Sequence, residues 1–266
     1  MPNWKFFLQD HALKATSVAG TNATSAANVI SGTDNMLSQA TSTASSWAFT
    51  LPSSVVCASV GLANHNIPAN STLDFFYESG VNWVQIGANQ AISPYIDQVF
   101  SFTPPAANTR YKVTINHPTG FKIGCISLLS GSTFLAIEST DSWPGYPVDR
   151  ELDAGIVASH SAGGARLEQK YGGASQLLTM RFRNLLFAKT DAGEEGLIDD
   201  VFLRQYMSDG TPTNLTGLPG PFWIVDDNGS AYHGHILRPL RFPIIGPGPR
   251  SDVMISFETL PHTGLV

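Results

Sequence analysis

Charge is what this sequence has least of. Asp, Glu, Lys and Arg together make up 14% of its 266 residues, where soluble chains carry about 25%. The 21 acidic residues outnumber the 15 basic ones, for a net charge of −6 and an isoelectric point near 5.6. No basic stripe is available to follow a phosphate backbone, which excludes nucleic acid as a direct partner. Cysteine is nearly absent as well. Cys57 and Cys125 are too few for a disulfide framework, and each sits in an apolar, strand-like run where a reduced core thiol is expected. No apolar run approaches the roughly 18 residues of a membrane span. No basic segment followed by an apolar one opens the chain, so synthesis in a cytoplasm is expected. The acceptor-like tripeptides beginning at Asn22, Asn70 and Asn214 then read as chance matches in Ser/Thr-rich sequence.

Catalytic signatures are missing too. Gly163-Gly164 and Gly172-Gly173 lack the Lys-Ser/Thr sequel of a phosphate loop. No Gly-x-Ser-x-Gly elbow occurs, and no local pattern joins a serine to a histidine base. Neither an enzymatic activity nor a cofactor is expected.

What the chain does contain points to β structure. Hydrophobic residues are 42% and aromatics 10%, enough for a packed core, and Gly (24) and Pro (17) supply many turns. Charge density rises sharply near residue 135. Before it the charges are Lys5, Asp10, Lys14, Asp34, Asp74, Glu78, Asp97, Arg110, Lys112 and Lys122; well over half of the total follow. That shift suggests two domains with different surroundings, meeting near residue 135.

In the first part, a short strand is predicted over 4–9 and a loop-rich Ser/Thr/Ala/Asn excursion over 14–46. Strands follow over 46–51, 55–62, 72–77, 83–86, 99–103, 110–115 and 122–129, the spacing of a sandwich. In the second part, Leu178 to Arg183 alternates apolar and polar residues and reads as a strand. Leu197, Val201, Leu203 and Tyr206 can form the apolar stripe of a helix over 193–207, with Glu194 and Glu195 at its N-terminus. Residues 221–226 and 231–242 read as a hairpin around Asp227-Asn228-Gly229, and 252–259 as the closing strand. An irregular connector is predicted over 140–160 and a Pro-rich loop over 243–250.

Few residues suggest a site. His233 and His235 lie two apart on a predicted strand, so they share a face and could supply two metal ligands, but no third ligand is identifiable and they read first as packing or surface histidines. Asn64-His65-Asn66 is a compact polar cluster after an apolar strand, suited to a sugar, a metal or a turn. Trp83 and Trp143 are candidate aromatic platforms for a glycan. Glu194, Glu195, Asp199 and Asp200 cluster on the predicted helix, more in the manner of a solvated face than of a glycosidase pair.

A family resemblance appears in Val60-Gly61-Leu62-Ala63-Asn64-His65-Asn66-Ile67-Pro68-Ala69. The segment follows Trp47 and precedes Phe75-Phe76-Tyr77-Glu78-Ser79-Gly80 and Trp83. This order resembles the N-terminal discoidin-like (galactose-binding-like) jelly-roll β-sandwich of certain tailed-phage tail and baseplate proteins. Ala27 to Ser31 matches its entry segment, and Arg110 to Ile115 and Ile123 to Ile126 look like its last strands. That resemblance covers 1–132; in 133–266 the strand, helix, Pro221-to-Gly229 hairpin and closing strand look like the helix-flanked β-sandwich or barrel domains of phage tail-tube and distal-tail proteins. The resemblance implies a virion component, at the tail tip or baseplate, in a ring of about six copies. Its partners would be itself, other tail proteins and a host-surface glycan, with no membrane insertion and no catalytic residues to carry over. The loops 14–46, 140–176 and 243–250 are then candidates for inter-subunit contact, and glycan adhesion is the alternative function.

Overall fold

The computed structural model of the chain describes residues 4–7, 10–31, 36–130, 134–137, 149–153, 156–160, 166–170, 175–186, 221–226, 228–236 and 250–260. The described elements are strands and two short 3₁₀ turns, Ala12–Lys14 and Ala26–Ile30. The strands of the first half are β1 (Trp4–Phe7), β2 (Ser17–Thr21), β3 (Ala23–Thr24), β4 (Ser38–Ala40), β5 (Ala44–Val55), β6 (Ser59–His65), β7 (Thr72–Ser79), β8 (Asn82–Gln85), β9 (Gln90–Ala91), β10 (Gln98–Ser101), β11 (Asn108–Asn116) and β12 (Lys122–Leu129). Those of the second half are β13 (Phe134–Ile137), β14 (Asp149–Asp153), β15 (Ile156–His160), β16 (Arg166–Lys170), β17 (Ser175–Leu186), β18 (Phe222–Val225), β19 (Ala231–Ile236) and β20 (Arg250–Thr259).

Two antiparallel sheets of the first half face one another as a β-sandwich. One runs β2-β5-β11-β7-β8, with β9 also paired to β7; the other runs β10-β6-β12-β4-β3. Alternation builds the core between them. Trp47, Phe49 and Leu51 on β5, Leu73 and Phe75 on β7, and Tyr111, Val113 and Ile115 on β11 all point inward, where they meet Val60, Leu62, Phe100, Ile126 and Leu128. Burying each such side chain contributes about 1.5–3 kcal/mol. Two large rings inside carry bonded polar atoms: Trp47 Nε1 donates to Ser38 Oγ at 3.0 Å, and Tyr111 Oη donates to Val55 O at 2.7 Å.

The β10-β6-β12-β4-β3 sheet is covered on its other side as well. Strand β6 is buried at every position, and β12 at every position but its first. Behind them lie Phe7 of β1 and Trp223 of β18, packed with Ala63, Cys125 and Leu129. Trp223 rests on Gly61, where an added Cβ would meet its ring at 2.5 Å. Its Nε1 donates to Ser127 Oγ at 2.8 Å. The nearby Asp10 carboxyl is buried, and its Oδ1 accepts from the backbone N–H of Ala12 (2.9 Å) and Leu128 (3.0 Å). Burial raises the Asp10 pKa against these hydrogen bonds and the attraction of His233.

The third layer is a seven-stranded sheet in the order β13-β1-β18-β19-β20-β17-β14. The strand that opens the chain belongs to it by hydrogen bonding, although sequence order puts it in 1–132: Lys5, Phe6 and Phe7 pair with Val225, Ile224 and Trp223. The Asn228-Gly229 hairpin joins β18 to β19 as predicted, with Gly229 at φ 84° and Asp226 Oδ1 accepting from the N–H of Asn228 and Ser230. A separate two-stranded sheet pairs β15 with β16.

Several expectations change. The excursion over 14–46 holds three short strands, β2, β3 and β4. Their positions alternate weakly in burial and are held by side chains such as Asn22, whose Nδ2 donates to Ala44 O, which explains why periodicity missed them. The predicted strand 55–62 is interrupted, because Cys57 N–H donates to Tyr111 Oη at 3.3 Å instead of to a ladder. The connector over 140–160 contains β14 and β15. The predicted helix over 193–207 lies outside the described residues, as does most of the loop 243–250. Cys57 and Cys125 are buried free thiols, as expected.

Candidate functional site

The outward face of the β2-β5-β11-β7-β8 sheet combines rings, charges and open surface. Directly opposed residues of an antiparallel pair share a face, so the register reads out its rows. Trp83 opposes Glu78, Gln85 opposes Phe76, Phe76 opposes Lys112, and Lys112 opposes Ala48, which opposes Ala19. Large and charged residues thus gather on β8, β7 and β11, beside a floor of small ones on β5 and β2.

Within this group the Lys112 Nζ lies 4.5 Å from the Phe76 ring centroid and 4.8 Å from that of Trp83, and the Arg110 guanidinium carbon is 5.5 Å from the Trp83 centroid. Arg110 Nη1 also pairs with Glu78 Oε1 at 2.6 Å. One row on, Asp74 accepts from Gln85 Nε2 (2.9 Å) and Asn116 Nδ2 (2.7 Å) through its two carboxylate oxygens. Partial burial among the rings lowers the Lys112 pKa. The arrangement offers ring edges, a fixed ammonium and a short carboxamide–carboxylate row on one solvent-open sheet face.

Of the residues singled out in sequence, Trp83 belongs to this group. Asn64, His65 and Asn66 do not. Asn64 and His65 are buried and tie loops together: Asn64 N–H donates to Asp97 Oδ1 (3.1 Å), His65 Nε2 meets Ile96 O (2.9 Å), and Asn66 Oδ1 accepts from Lys122 N–H (2.6 Å). Asn64 takes a left-handed φ of 49° there, which asparagine tolerates. The same contacts carry the loop that presents Tyr95 and Ile96 to solvent. His233 and His235 both lie on β19 as expected, but His233 is buried and stacked on Trp223 at 4.7 Å, while His235 opposes Glu258. Among the described residues, no three His, Cys, Asp or Glu side chains converge as a metal site. Trp143 and the Glu194, Glu195, Asp199 and Asp200 cluster lie outside the described residues.

Lys112, Phe76 and Arg110 were missed in sequence. Their signal is the outward phase of two alternating strands, Arg110-x-Lys112 and Phe76-x-Glu78, read together with the outward Trp83. It becomes a site only when the strands are placed side by side.

No protein-family model and no curated protein matches the sequence. Solved structures that resemble part of the chain include carbohydrate-binding modules. A family 32 module from C. perfringens NanJ, solved with galactose, is 13% identical with a TM-score of 0.40, over 47% of this chain and 99% of the module. A pectin-binding module is 17% identical with a TM-score of 0.37, over 44% and 91%. Chitosan-binding module 1 of a Paenibacillus sp. IK-5 chitosanase/glucanase is 17% identical with a TM-score of 0.38, over 46% and 99%. The likeness is one of fold alone.

Proposed function

We propose that the first-half sandwich binds carbohydrate across the outer face of its β2-β5-β11-β7-β8 sheet. The observation that carries this reading is the grouping of Trp83, Phe76 and Lys112 on a solvent-open face. A saccharide presents C–H patches and hydroxyl edges. Aromatic surface receives the first, and a few placed polar groups orient the second. Here Gln85, Asn116 and Asp74 lie next to the rings. The proposed role is recognition of the saccharide.

Titration calorimetry against a panel of neutral and acidic oligosaccharides tests it. Saturable binding is expected, and Trp83→Ala should weaken it by about tenfold or more, since aromatic anchors dominate binding energy. Trp83 lies on an edge strand and is only half-buried, so stability should change by less than about 1 kcal/mol. Absence of saturable binding to every saccharide would sink the reading.

A second reading is a ring-forming structural component of a phage tail tip or baseplate. One observation favours it: among the described residues, β15 and β16 pair only with each other. A lone two-stranded ribbon is marginal in water and has edges ready to pair with another chain. It also falls within 140–176, the stretch expected to contact other subunits.

A further inference from the structure

We infer that the saccharide taken by this face is acidic, with a carboxylate or sulfate held by the Lys112 ammonium; the inference rests on the carbohydrate reading above. The charges on the face decide it. Glu78 is already paired with Arg110, and both oxygens of Asp74 accept from Gln85 and Asn116. No described carboxylate pairs with Lys112. Its ammonium is held by the rings of Phe76 and Trp83. Ring quadrupoles position a cation without cancelling its charge.

Two further features fit an anion. On the other side of Lys112, the row continues into Ala48 and Ala19, which bring no competing acceptor side chain. Arg110, 44% exposed and next to Trp83, lies at the rim with its charge offset by Glu78, which leaves Lys112 as the cation of the face without a carboxylate partner among the described residues. A neutral sugar could only exchange water for hydroxyl contacts here. An acidic one gains charge-assisted hydrogen bonds, roughly twice as strong as neutral ones. The rings restrict the lysine side chain before the ligand arrives, which lowers the ordering cost of binding.

The test is calorimetric titration of the full chain with an oligogalacturonate, a sulfated galacto-oligosaccharide and a neutral galacto-oligosaccharide, at low and high salt. The wild type, Lys112→Gln and Lys112→Arg are compared after their melting temperatures are shown to match. The wild type should prefer an acidic ligand by roughly tenfold or more, and salt should erode the preference. Lys112→Gln should remove the preference by weakening acidic binding more than neutral binding, and Lys112→Arg should retain it. The two acidic ligands reveal whether carboxylate or sulfate is the group held. Equal binding of neutral and acidic ligands, or a preference that survives in Lys112→Gln, overturns this inference and leaves the carbohydrate reading standing. No binding of any ligand overturns both.

Discussion

Tyr111 illustrates how one side chain serves the sandwich core and its polar accounting together. Its ring stacks on Phe75 with centroids 5.5 Å apart, and its hydroxyl donates to Val55 O while accepting from Cys57 N–H. Burial pushes its pKa up to about 12 from an ordinary 10. The sign of the linkage follows. The neutral phenol is favoured in the folded state, so its contribution to stability is complete below pH 10 and is lost as pH rises through about 12. Tyr111→Phe should therefore cost stability at neutral pH, by about 1–3 kcal/mol for the Cys57 N–H left buried without a partner. The gap between wild type and variant should narrow between pH 10 and 12. Urea denaturation at a series of alkaline pH values measures both, and a constant gap would mean that the hydroxyl does not titrate as described.

At the scale of elements, the decisive contact is β18 lying across β6. Strand β6 can be crossed so closely because Gly61 has no Cβ; an alanine there would meet three atoms of the Trp223 indole between 2.5 and 2.8 Å. Both neighbours are fixed, since Gly61 pairs with Ser127 and Val99, and the indole N–H is bonded to Ser127. Gly61→Ala should therefore destabilise the protein by about 1–3 kcal/mol, the usual cost of overpacking. The displaced tryptophan gives a direct readout, a shift of its fluorescence emission towards that of an exposed indole. An unchanged spectrum and stability would mean that the layers do not touch at this point. The edge strand β8 has the opposite character. Val81 at its turn is 92% exposed, so substitutions on β8 should affect ligand binding before they affect folding.

For the whole molecule, the three layers decide what each half can do. The two middle strands of the central sheet, β6 and β12, are buried almost throughout and offer no surface to a ligand. The outer face of the β2-β5-β11-β7-β8 sheet is the surface proposed above for recognition, and the β15–β16 ribbon the one proposed for contact between chains. Native mass by light scattering separates the roles. If the chain assembles as a virion component, a ring-sized species should form, alone or on mixing with other tail proteins, and deletion of 156–170 should abolish it. A monomer under all these conditions removes the assembly reading and leaves carbohydrate recognition as the function of the free chain.

The sequence by itself determined the strands whose alternation is written locally. Trp47, Phe49 and Leu51, Leu73 and Phe75, and Tyr111, Val113 and Ile115 each mark the inward face of one strand, and Asn228-Gly229 marks one turn. It also marked β12 by a continuous apolar run. It could not say that this run is apolar because two layers cover it, nor that Trp4–Phe7 would pair beside Phe222–Val225. Alternation specifies which face of a strand is buried, but not which strand lies next to it, since that depends on contacts between residues far apart in the chain. The candidate site has the same origin. Phe76, Trp83 and Lys112 stand on three different strands, each with only an outward position to distinguish it. Only the pairing of β8 with β7 and of β7 with β11 brings the two rings to one ammonium.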